Sequence, residues 1–200
     1  MHSYDGRNII SRMRYASDHK RQTHQRIVEA ASRLFKGGGY VGTGVDAVMN
    51  AAGLTPGAFY AHFPSKNALL AETLALSVAR MKERFLAGFD ERTASTWLRG
   101  VVLRYLSTTH RDSVADGCPL PALTADVFRA DGVAREEFEA HLRGLLTELE
   151  GNMPTNLGSA RDRALATIAL CVGGLMLARA VKDRALSNRI LRACRRLAVA

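Results

Sequence analysis

Two hundred residues, 47% of them hydrophobic, allow one or two domains with a well-buried core. A net charge of +9 points to a polyanionic partner. Three widely spaced cysteines, Cys118, Cys171 and Cys194, exclude a disulfide framework, and no His/Cys cluster has metal-ligand spacing, so neither metal nor cofactor is expected.

The charge is uneven: residues 1–67 carry nine Lys and Arg against four Asp and Glu, the rest nineteen against fifteen. The first twenty residues lack the apolar run of a signal peptide. The apolar run Ala164–Ala178, free of charge, is short for a membrane span and reads as a buried helix. A cytoplasmic protein without membrane contact is the expectation. All five prolines fall at expected helix ends, and 65–118 and 155–200 contain none, so the chain reads as all-α.

In chain order, residues 1–17 show no sustained periodicity and read as a flexible basic arm, with Met13 an alternative start. From Asp18 to Lys36, Ile27, Ala30, Ala31, Leu34 and Phe35 recur on one helical face, and Gly37-Gly38-Gly39 end it. Thr43 with Asp46 forms a Ser/Thr-x-x-Asp/Glu cap, Val45, Val48 and Met49 share a face, and Gly53 ends this second helix. Thr55 then Pro56 start a third helix of about eight residues, which Pro64 stops at Phe63. At about 12 Å it suits the major groove, and Ala58, Phe59 and Phe63 are its core anchors.

A fourth helix, capped by Ser65, carries Leu70, Leu74, Val78, Met81 and Phe85 on one stripe to about Gly88, long enough to join two bodies. Thr96–His110 reads as one helix, 111–121 as a polar loop, 121–130 and 133–150 as helices, and 151–159 as a loop. The last helices are 160–182 and 187–198. This gives about nine helices.

RIVEAASRLFKGGGY followed by TGVDAVMNAAGLTPGAFYAHFPSKNALL, roughly residues 20–75, resembles the N-terminal domain of TetR-type transcriptional regulators. The GCPLPAL and VGGLMLARAVKDRALSNRIL segments are more loosely similar to one branch of that family. The resemblance implies a helix-turn-helix DNA-binding domain at 18–66 and an effector-binding and dimerisation domain at 67–200. It implies a homodimer, through helices 160–182 and 187–198, that acts as a repressor and leaves a palindromic double-stranded DNA operator when a small-molecule effector binds. It places Thr43, as the cap of the second helix, against a phosphate, Thr55, Pro56 and Gly57 near base edges, Tyr60 and His62 on phosphates or the groove wall, and Lys66 on a phosphate. Pro56 and Ala61 depart from the pattern, where a donor and a larger side chain are frequent, so this face suits thymine methyls better than guanine.

The family also implies an apolar effector cavity. Met81, Phe85, Trp97, Tyr105, Phe128, Phe138, Cys171 and Met176 are side chains that could line one, or plain core. Gly173-Gly174 suit either a dimer contact or packing within one subunit. Cys118, beside a helix start and near Arg111, is either a redox or electrophile sensor or a small buried thiol. An enzyme is not expected, because no nucleophile with a base, no paired carboxylates and no phosphate loop appear. The competing class is a non-regulatory basic nucleic-acid binder or helical enzyme.

Overall fold

The computed structural model describes residues 6–88, 93–130, 132–154 and 158–199, with side chains from residue 18 onward. Among these there are nine α-helices, one 3₁₀ helix and no strand. Helix α1 spans Gly6–Gly38, α2 spans Val45–Ala51, a 3₁₀ helix spans Pro56–Ala61, and α3 spans Lys66–Phe85. The second part holds α4 (Ala94–Tyr105), α5 (Thr108–Asp112), α6 (Pro119–Arg129), α7 (Val133–Gly151), α8 (Ala160–Ala180) and α9 (Arg184–Ala198).

Residues 6–17, expected as an arm, belong to α1, and 1–5 lie outside the described residues. Gly39, at φ +80°, ends α1 in a conformation other residues rarely adopt. Thr96–His110 is two helices rather than one. The chain breaks at Leu106-Ser107, where the Ser107 hydroxyl accepts the His110 N–H and restarts the helix as α5.

Two apolar cores result. The first gathers Ile27, Phe35, Val48, Met49, Phe59 and Phe63 with Leu123 and Val127 of α6. The second gathers Trp97, Leu98, Val102, Leu145, Leu175 and Leu191. The Ser65 hydroxyl caps α3 by accepting the Ala68 N–H at 3.1 Å. The stripe of α3 then serves both: Leu70 and Leu74 lie in the first core, Val78, Met81 and Phe85 in the second. One helix therefore runs from the short-helix head into the larger body.

Helix α8 carries no charge from Ala164 to Ala178, and with a mean hydropathy of 1.5 over its best window it is long and apolar enough to cross a membrane. Part of it is core: Cys171, Gly174, Leu175 and Ala178 are buried. Gly174 is a packing contact within the chain, because a Cβ there would lie 2.6 Å from Cys194 Sγ of α9.

Candidate nucleic-acid interface

Two prolines and two phenylalanines shape the reading head. Pro56 occupies the first turn of the 3₁₀ helix and Pro64 follows its end, leaving six residues. So short a piece closes i→i+3 bonds, Ala58 N–H to Thr55 O and His62 N–H to Phe59 O, and at about 2 Å rise per residue still spans about 12 Å. Phe59 and Phe63 are fully buried and stacked with ring centroids 5.6 Å apart. They anchor one side of the segment and turn Thr55, Pro56, Gly57, Tyr60 and Ala61 to solvent. Tyr60 is 75% exposed, and a Cβ on Gly57 would meet nothing within 4 Å. The protruding surface is thus a hydroxyl, a phenol, a proline ring and two small residues.

The turn before it is set by Gly53, at φ +69°, which closes α2. Arg26 of α1 donates to the Ala52 carbonyl at the same corner.

Thr43 does not cap α2. Its hydroxyl donates to Gly39 O at 2.7 Å and its side chain is buried, because the last carbonyls of α1 lack helical partners. Gly44 occupies the cap position with no side-chain bond. Only the Thr43 backbone remains for a phosphate.

Lys66 is also engaged. Its ammonium donates to Tyr40 O and lies 4.2 Å from the Tyr40 ring centroid. Burial lowers its pKa, opposed by Asp126. His62 ends the 3₁₀ helix half-buried, with Nδ1 enclosed and unpartnered. Burial lowers its pKa, and His24 and Lys20 push the same way. His24 stacks on Phe63 at 4.4 Å and meets Glu72 Oε2 at 2.6 Å.

Sequence reasoning missed the residues that tie the head to the body. Asp126 of α6 accepts the Tyr40 N–H at 3.2 Å. Lys36, at the end of α1, donates to Gly117 O at 3.3 Å from a buried position, and burial pushes its pKa down to about 8. Arg84 donates to Asp116 O, and Arg33 approaches the Asp116 carboxylate at 3.8 Å. These pairs are separated by tens of residues, and no local pattern announces them.

In the second core an apolar cavity of about 30 Å³ lies between α3, α4, α6, α7 and α8. Met81, Phe85, Tyr105 and Cys171 line it as expected, with no charged side chain. Trp97 is buried in the same core without lining it, and Phe138 packs between the two cores. Phe128 and Met176 do not line it. They are 75% and 41% exposed, because each lies on the outward face of its helix.

Cys118 is fully buried at the start of α6, and burial raises its thiol pKa to about 11. Desolvation outweighs the hydrogen bonds with Tyr105 and Leu120 and the charges of Arg179 and Lys36, which is the environment of the small buried thiol, one of the two readings. Burial likewise raises Cys171 to about 12.

A short helix held through two buried phenylalanines, with its other side open to solvent, has the arrangement of a helix-turn-helix head. Residues 27–73 match the family model described as bacterial regulatory proteins, tetR family. An uncharacterized HTH-type transcriptional regulator of Lactococcus lactis subsp. lactis is 24% identical over 173 residues, covering 82% of this chain and 86% of its own. The HTH-type transcriptional regulator AcrR of Shigella flexneri is 34% identical over 91 residues, 44% of this chain and 42% of that one. Among solved structures, a TetR-family regulator from Cytophaga hutchinsonii superposes with a TM-score of 0.77 at 21% identity, covering 90% of this chain and 94% of that one. AibR, solved with isovaleryl coenzyme A and operator DNA, gives 0.65 at 16% identity, over 88% and 97%. Residues 27–73 thus match the tetR-family model, and over most of its length the chain shares the fold of solved TetR-family regulators.

Proposed function

We propose that this chain is a repressor that binds a palindromic operator as a homodimer and leaves it when a small molecule enters the body of the protein. One observation carries the ligand response: α3 begins at Lys66, against the reading head, and ends at Met81 and Phe85, in the cavity wall. Widening the cavity displaces the same helix that seats the head. The cavity is small as it stands, so an occupant larger than one or two waters must move its walls. A ligand that binds the widened arrangement better shifts the population toward it.

In the complex, Thr55, Pro56 and Gly57 meet base edges, and Tyr60 and His62 meet the backbone. Lys66 offers a phosphate the hydrogens that Tyr40 leaves unused, and Thr43 offers its backbone N–H. With few donors on its tip, this head discriminates mainly through thymine methyls and DNA shape.

A second copy is supported by α8 and α9. Leu165 and Leu177 of α8 and Leu186 and Leu197 of α9 are 44%, 60%, 45% and 66% exposed, and Met176 joins them. Large apolar side chains left exposed on two adjacent helices call for a partner, and two-fold packing through these faces presents two heads to successive major grooves. AibR, with a ligand and operator DNA, illustrates a relative of this fold that holds both. The setting that follows is the cytoplasm, where the DNA is.

The test is a reporter driven by a promoter carrying the site selected by the purified protein. Repression relieved by a compound, with operator DNA weakening that compound's binding by the same factor, is the expected result. Raised transcription, or compound affinity indifferent to DNA, contradicts it.

A further inference from the structure

Helices α4 and α9 enclose a groove of about 310 Å³. Its floor is apolar: Val102 is fully buried and Leu103 43% exposed, with Val199 beside them. Arg99, Arg192, Arg195 and Arg196 line the same groove. Arg195 has an internal role, donating from Nε and Nη2 to Leu106 O at 3.0 and 2.5 Å. The other three are exposed, and among the described residues none has a carboxylate partner. Guanidiniums on apolar stems, gathered without an anion, repel one another, and a bound anion relieves that repulsion.

The groove stays open in the dimer proposed above. At 100° per residue, Leu191, Cys194 and Ala198 of α9 point inward, Leu186, Ile190, Ala193 and Leu197 form one flank, and Arg192, Arg195 and Val199 form the other. The apolar flank is the dimer seam, and the groove lies on the opposite side.

We propose that this groove is a second small-molecule site, for a soluble amphiphile with a carboxylate or phosphate head on an apolar chain. The volume matches a small ligand, the floor takes the chain, and Arg99, Arg192 and Arg196 hold the head by charge-assisted, bidentate hydrogen bonds. The core cavity differs from it in having no charge in its lining.

The test is calorimetric titration of the full chain with decyl phosphate and decanoate below their micelle concentrations, beside decanol and inorganic phosphate. A variant carrying R99Q, R192Q and R196Q is titrated in parallel; these side chains are exposed and have no carboxylate partner among the described residues, so its melting temperature should match the parent. Saturable binding of one decyl phosphate per chain, weakened at least tenfold in the variant and by decanol substitution, is expected. Equal binding by the variant would place the amphiphile elsewhere, and inorganic phosphate binding as tightly as decyl phosphate would reduce the groove to an anion patch. Binding to phosphatidylglycerol vesicles with none to the soluble amphiphiles would make it a membrane contact. Any of these three results, or no saturable binding at all, overturns the proposal.

Discussion

The Asp126 carboxylate of α6 accepts the backbone N–H of Tyr40 at 3.2 Å, across 86 positions of sequence. Tyr40 in turn receives the Lys66 ammonium on its carbonyl and beneath its ring. Body, inter-helix turn and the start of α3 therefore meet at one residue. Asp126→Ala should cost about 1.5–3 kcal/mol of stability, as expected for a hydrogen bond to a charged group. It should also shrink the coupling between effector and operator, read as the ratio of operator affinities with and without effector. An unchanged ratio would remove Asp126 from the transmission.

Stability and recognition should separate within the 3₁₀ helix. Phe59→Ala deletes a fully buried ring and should cost about 3–5 kcal/mol, abolishing DNA binding together with the near-ultraviolet signal of the folded head. Tyr60→Ala removes an exposed one and should stay within about 0.5 kcal/mol of the parent while weakening operator binding about tenfold. Denaturant titration beside fluorescence anisotropy distinguishes the two.

His110 should make the body acid-sensitive. It is buried, with Nδ1 2.6 Å from Tyr105 O and Nε2 accepting the Cys118 N–H at 3.0 Å. Both nitrogens are satisfied in the neutral ring, and burial lowers the pKa from 6.5 to about 4. The unfolded chain takes up the proton first as pH falls, so stability is full above about 6.5 and declines toward 4. The slope is about 1.4 kcal/mol per pH unit, roughly 3 kcal/mol in all. His110→Gln should flatten that part of the profile in pH-dependent denaturation.

The thiols should react in order of exposure. Cys194 is half-buried, whereas Cys118 and Cys171 are buried with raised pKa values. Iodoacetamide should label Cys194 first, by mass spectrometry of the native protein, and Cys118→Ser should leave operator binding unchanged under mild oxidation. Early labelling of Cys118 would favour the sensor reading.

Much of this was legible because the signals are local. The stripe from Leu70 to Phe85, the Ser65 cap and the Gly53 corner depend on neighbours within a turn, and the structure keeps them. Thr43 obeyed a local capping rule yet turned to Gly39 O, because a preceding helix offered unpaired carbonyls. The break at Leu106-Ser107 was hidden by apolar steps that continue through Tyr105. Phe128 and Met176 are apolar by type, but their helix faces are fixed only by what packs opposite. The Tyr40–Asp126, Lys36–Gly117 and α4–α9 contacts pair distant residues and left no trace in spacing.

The most direct measurement is selection of bound duplexes from a random DNA pool by the purified protein, followed by affinity titration over salt. An enriched palindrome with half-sites about one helical turn apart or slightly more is expected. Its affinity should fall steeply with salt and be weakened by Tyr60→Ala in a protein that remains folded. No enriched sequence, a salt-independent complex, or undiminished binding by Tyr60→Ala would contradict the operator-binding reading.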